Sequence, residues 1–152
     1  MKLTKDKLKE IAREREDVHK NHASSRPLSK DYEYIGLAGE SEFANQFNYS
    51  IDEKLRPSGD GGKDFDSPLG SIDVKTARKA FNLIVEANKV DSDIYVLAQY
   101  DDETDNAALI GWASREEVLN APTKDFGYKI INHYISKRNL HPINSLKGFL
   151  LI

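Results

Sequence analysis

Residues 61–76, GGKDFDSPLGSIDVKT, hold two short runs that mix apolar and charged residues on either side of Ser67-Pro68-Leu69-Gly70. Proline at the second position of a four-residue turn, with serine before it and glycine at its end, predicts a type I turn. A hairpin centred on Pro68 and Leu69 pairs Asp66 with Ser71, Phe65 with Ile72 and Asp64 with Asp73. Strand side chains alternate, so Phe65, Ile72 and Val74 share one face while Asp64, Asp73 and Lys75 share the other. Opposed Cβ atoms in such a pair stand roughly 4.5–5.5 Å apart, close enough for both carboxylates to touch one ion. Without an ion, two like charges facing each other weaken the pair. A divalent cation removes that penalty, and Lys75 faces the same point.

The helix expected before this hairpin, Asp31 to Asn48, carries a second signal. Tyr34, Leu37, Ala44 and Phe47 follow helical spacing, and Glu40 falls inside their stripe with Phe43 beside it. A carboxylate on an apolar face is costly unless it is paired, protonated or bound to metal. Glu40 is therefore expected to reach the Asp64/Asp73 site. Gly36 and Gly39 are expected to let this helix approach another backbone closely.

An acid followed after a turn by Asp73-Val74-Lys75 resembles the PD-(D/E)XK nuclease superfamily, over roughly Tyr32 to Trp112. The chain departs from that pattern at Lys63, which stands where the name-giving proline would be. The resemblance implies a restriction-endonuclease-like fold, an α/β (α+β) domain with a mixed β-sheet flanked by helices. It implies DNA as substrate and cleavage leaving a 5′-phosphate. It further implies Mg²⁺ (with Mn²⁺ able to substitute) held by Asp64, Asp73 and the Val74 carbonyl, with Glu40 binding a second ion or anchoring the water shell. Lys75 would orient the attacking water or meet charge on the phosphate, and Arg78 and Lys79 would be the nearest phosphate contacts. Superfamily members often act as dimers.

Composition sets the wider bounds. At 152 residues, 39% hydrophobic and 31% charged, the chain has room for one domain with a real core. It contains no cysteine, which removes disulfides, thiolate zinc sites and cysteine nucleophiles. No run approaches the ~20 apolar residues of a membrane span, and the start MKLTKDKLKE is too charged for a signal peptide. A cytoplasmic protein without membrane contact is expected. The net charge of −3 hides an uneven distribution. Residues 1–30 hold nine Lys/Arg against five Asp/Glu, residues 31–122 eight against nineteen, and residues 123–152 five against one. An acidic middle between basic ends suits a cation site flanked by phosphate-holding surfaces.

Residues 1–30 form an N-terminal helical arm and linker, and 31–152 the nuclease-like domain. The helix over 2–22 shows only a thin stripe of Leu8, Ile11, Ala12 and Val18, a plausible dimer arm. His19 and His22 within it read as solvated, and Ala23 to Ser29 as the linker. Ser50 to Arg56 alternates as a first core strand, and Asp60 lies in the Gly-rich turn after it. Leu83-Ile84-Val85 is a short strand. Asp93 to Tyr100 is the clearest strand, apolar on both faces and so central. DDETD at 101–105 lacks the glycine and terminal glutamate of an EF-hand loop and reads as a solvated turn. Ala107 to Ala113 is a further strand, and Ser114 with Glu117 caps a short helix. Beyond Lys124, cations interleave with aromatic residues, a composition suited to phosphate backbones.

Serine-hydrolase, zinc-protease and dinucleotide-binding motifs are missing from the sequence, and its four histidines lie at the chain ends. The expectation is a metal-dependent DNA endonuclease. The alternative is a nuclease-like DNA-binding or protein-interaction domain in which the acids and Lys75 form only a salt-bridged face.

Overall fold

The computed structural model describes residues 4–19, 32–49 and 64–150. In chain order they form helices α1 (Lys5–His19) and α2 (Tyr32–Phe47), then strands β1 (Phe65–Ser67), β2 (Gly70–Ala77), β3 (Asn82–Glu86), β4 (Ile94–Asp101) and β5 (Asn106–Ser114). Helix α3 (Arg115–Leu119), strands β6 (Thr123–Asp125) and β7 (Ile131–Ser136), and helix α4 (Ile143–Leu150) complete them. His22, the linker over 23–29, the strand expected over 50–56 and the turn with Asp60 lie outside the described residues.

Strand β4 organises the packing because its two faces are both apolar. It pairs in parallel with β2 and antiparallel with β5, giving a mixed sheet ordered β1-β2-β4-β5. Ile94, Val96 and Ala98 point to one side, where Phe43 and Phe47 of α2, Phe65, Ile72, Val74 and Leu146 of α4 close a core. Tyr95 and Leu97 point to the other, against Leu83, Val85, Ala113 and Val118. That second core is roofed by a three-stranded antiparallel sheet ordered β3-β7-β6. The architecture is therefore mixed α+β, a mixed sheet with helices on one face and a smaller sheet with α3 on the other. At roughly 1.5–3 kcal/mol for each large side chain withdrawn from water, these two cores dominate the favourable side of folding.

Helix α1 packs along α2 through Leu8, Ile11 and Ala12, all 5% exposed or less, against Leu37 and Tyr34. Leu8, Ile11 and Ala12 of the stripe read as a dimer arm are thus buried within the chain itself. Tyr34 and Tyr100 both donate hydrogen bonds to the Asp105 carboxylate, at 2.6 and 2.7 Å, and the Lys5 ammonium donates to the Asp105 carbonyl. The acidic run is a turn, as its sequence suggests, but Asp105 serves as a bolt between α1, α2 and the β4–β5 hairpin. Ser114 and Glu117 form the expected capping box at α3. Among the described residues no helix is long and apolar enough to cross a membrane.

Candidate functional site

The β1–β2 register is Phe65↔Ile72, Asp66↔Ser71 and Ser67↔Gly70, as turn chemistry requires. Ser67 Oγ donates to the Gly70 carbonyl at 2.8 Å and accepts from the Leu69 N–H at 3.1 Å, tightening the turn. Gly70 has φ +114°, and a Cβ there would lie 2.6 Å from the Asp93 carboxyl carbon. Asp93 in turn accepts from the Ser71 N–H at 2.9 Å and is held by Arg115 at 3.0 Å. The hairpin is therefore tied to the start of the central strand.

One step further, the ladder departs from expectation. The Asp64 N–H donates to the Ile72 carbonyl at 2.8 Å, and the Asp64 carboxylate accepts the Val74 N–H at 2.7 Å. Asp64 thus does not simply face Asp73 in a regular pair. Aspartate side chains compete for backbone N–H groups, and here that competition ends the ladder. The carboxylate is pinned at the edge of β2, on the residue between Asp73 and Lys75.

Asp73 and Lys75 lie on the face opposite Ile72 and Val74, opposite Tyr95 and Leu97 of β4. Asp73 is 4% exposed, an unusual position for a carboxylate. Lys75 Nζ stands 2.7 Å from Asp73 Oδ2, and the lysine side chain keeps 41% of its surface in solvent. The contact is an ion pair without good hydrogen-bond alignment, so the buried Oδ2 has no well-directed donor. Desolvation pulls the Lys75 pKa down, but the negative charges of Asp73 and Asp64 outweigh it and hold the ammonium above its ordinary value. Asp73 and Lys75 thus share one face of β2, as its alternation implied.

Glu40 is 7% exposed in α2. It follows Gly39, which lies against Thr76 of β2. A Cβ on Gly39 would come 3.0 Å from the Thr76 Cβ and 3.2 Å from its Cγ2. Gly36, expected to share this role, has open space around it. Helix α2 thus packs on the face of β2 that carries Ile72, Val74 and Thr76. Among the described residues no group of three or more His, Asp or Glu side chains is placed to hold a metal ion by itself.

The two cations expected at phosphates have different surroundings. Arg78 is engaged by Asp102 through two nitrogens, at 2.7 and 3.0 Å, and lies over the Tyr100 ring. Lys79 is exposed and lines a cleft of about 480 Å³ whose wall also includes Lys75, Thr76, Phe81 and Phe126. This cleft lies between β2 and the smaller sheet, and sequence reasoning missed it. The available signal was Phe81 and Phe126, two aromatics placed in polar, turn-rich segments without an apolar period. Comparison with protein-family models, curated proteins and solved structures returns no match.

Proposed function

We propose that the chain is a metal-dependent DNA endonuclease acting through Asp64, Asp73 and Lys75. The observation that carries this reading is the buried Asp73 carboxylate beside a lysine whose other side opens into a solvent cleft. A purely structural ion pair gains little from such a position, because burying the carboxylate costs several kcal/mol and the half-exposed partner returns only part of it. The donor set fits a small hard cation: two carboxylates and the Val74 carbonyl are all oxygen ligands, and Asp73 Oδ2 lacks a well-aligned donor. Mg²⁺ held there would supply charge neutralisation at phosphate and a more acidic water.

The chain's own residues would do the rest. Asp64, fixed through the Val74 N–H, keeps its carboxylate at the β2 edge. Lys75 presents an ammonium to the scissile phosphate, where negative charge grows as the water oxygen bonds to phosphorus and the 3′-oxygen leaves. Lys79, on the same cleft, positions the neighbouring phosphate. Glu40, buried in α2, would bind a second ion or anchor the water shell. Arg78 would contribute only after leaving Asp102.

The test is a plasmid assay with supercoiled DNA in Mg²⁺, Mn²⁺ or EDTA, using wild-type, Asp73→Ala and Lys75→Ala proteins. Nicking that needs the metal and both residues supports the reading. No nicking, together with no heat of Mg²⁺ binding by calorimetry, would replace it with the salt-bridged, non-catalytic domain.

A further inference from the structure

We infer that the cleft beside Lys75 takes an unpaired DNA strand, whose bases stack on Phe81 and Phe126. This names the substrate class of the site and rests on the nuclease reading for DNA as the ligand. Phe81 is 62% exposed and Phe126 41%, and both line the cleft that Lys75 and Lys79 also line. Exposed phenylalanines are ordinary singly; two on one cleft wall form a patch that calls for a partner.

Each ring is set among cations. Lys137 Nζ lies 5.9 Å from the Phe81 ring centre and Lys124 Nζ lies 5.2 Å from that of Phe126. The backbone of Phe81 is anchored, and the Phe126 ring is packed. The Lys137 N–H donates to the Phe81 carbonyl at 3.0 Å, and Phe126 meets Tyr134 edge to face at 5.6 Å. Exposed aromatic rings alternating with exposed lysines offer a π-face for each base and a charge for each phosphate, as sequence-tolerant strand binders do. Bases in an intact duplex are stacked on each other and have no face to give. A strand laid across the two rings would bring its phosphates past Lys79 to Lys75.

The experiment is fluorescence anisotropy of the full chain in EDTA, with labelled oligothymidine and a blunt hairpin duplex as probes. Oligothymidine should bind about tenfold more tightly than the duplex, and Phe81→Ala and Phe126→Ala should each weaken it about tenfold, the loss of one stacked base. Phe81→Trp and Phe126→Trp, which keep a stacking face, should retain binding. Equal or tighter duplex binding, or alanine variants that melt and bind like wild type, would overturn the inference. Because no hydrolysis occurs in EDTA, the two readings separate. Strand binding that depends on the rings but is never followed by cleavage in Mg²⁺ keeps the stacking site and removes the nuclease. Cleavage of duplex without strand preference does the reverse.

Discussion

Replacing Lys75 with alanine tests the site through both stability and rate. The ammonium stands 2.7 Å from a carboxylate whose side chain is 6% exposed, and is itself 41% exposed. Removing one partner of a fully buried pair costs ~3–5 kcal/mol, whereas exposed pairs are worth ~0–1 kcal/mol. With one buried and one half-solvated partner, a loss of about 2 kcal/mol is expected. For a domain of this size that is a Tm fall of about 4–8 °C. Since the carboxylates hold the lysine pKa above its ordinary 10.5, this contribution is intact below that pH and is lost as pH rises through the folded value. The measurement is a thermal melt at neutral pH in EDTA and again in MgCl₂, alongside plasmid nicking. Mg²⁺ should recover much of the lost Tm, because the ion takes over the charge that the ammonium balanced. Nicking should nevertheless fall about 10²–10³-fold, the loss expected for one donor to a developing oxyanion. A Lys75→Ala protein that nicks at the wild-type rate, or whose melt is indifferent to Mg²⁺, would refute the reasoning.

Four further outcomes are expected. Gly39→Ala should lower Tm, because its Cβ meets Thr76 and overpacking of about 1–3 kcal/mol exceeds the helix-propensity gain, while adding Thr76→Ala should recover most of the loss. Gly36→Ala, with nothing within 4 Å, should instead stabilise by about 1 kcal/mol in the same melts. Asp102→Ala should release Arg78 and steepen the salt dependence of DNA binding by about one phosphate contact, read from titrations at several salt concentrations. Burial and the Asp105 carboxylate push the Tyr100 hydroxyl up to about 12 from 10.0, so its stabilising effect is present below pH 10 and disappears as pH rises through 12. Alkaline denaturation followed by circular dichroism should accordingly be shallower in Tyr100→Phe than in wild type.

The hairpin and central strand were legible in the sequence because their signals are local. Ser67-Pro68-Leu69-Gly70 sets the turn, and a period of two then places Ile72 and Val74 inside and Asp73 and Lys75 together on the other face. The capping box at Ser114 and Glu117 was equally local. The bond from the Val74 N–H to Asp64 was not legible, since a side chain outcompeting a ladder leaves no mark on periodicity. Nor was the second sheet, whose β3 and β7 lie about fifty residues apart and pair Asn82 with Ser136. The engagement of Arg78 with Asp102 was not legible either, since it depends on how the β4–β5 turn folds back. Gly39 and Gly36 have the same sequence signature, and only the position of Thr76 tells them apart.

The pairing of β3 with β7 has a consequence for how the protein comes off the ribosome. The acids and Lys75 all lie before residue 76, and their hairpin closes over only two turn residues, so it is available early in synthesis. The cleft needs Phe126 and the β6–β7 hairpin, which are made about fifty residues later. Synthesis adds ~5–20 residues per second. A nascent chain therefore carries its charged strand for seconds before the wall that would hold a nucleic acid exists. The late wall keeps the cleft from forming on an unfinished polypeptide even when the turn that carries the acids is already in place.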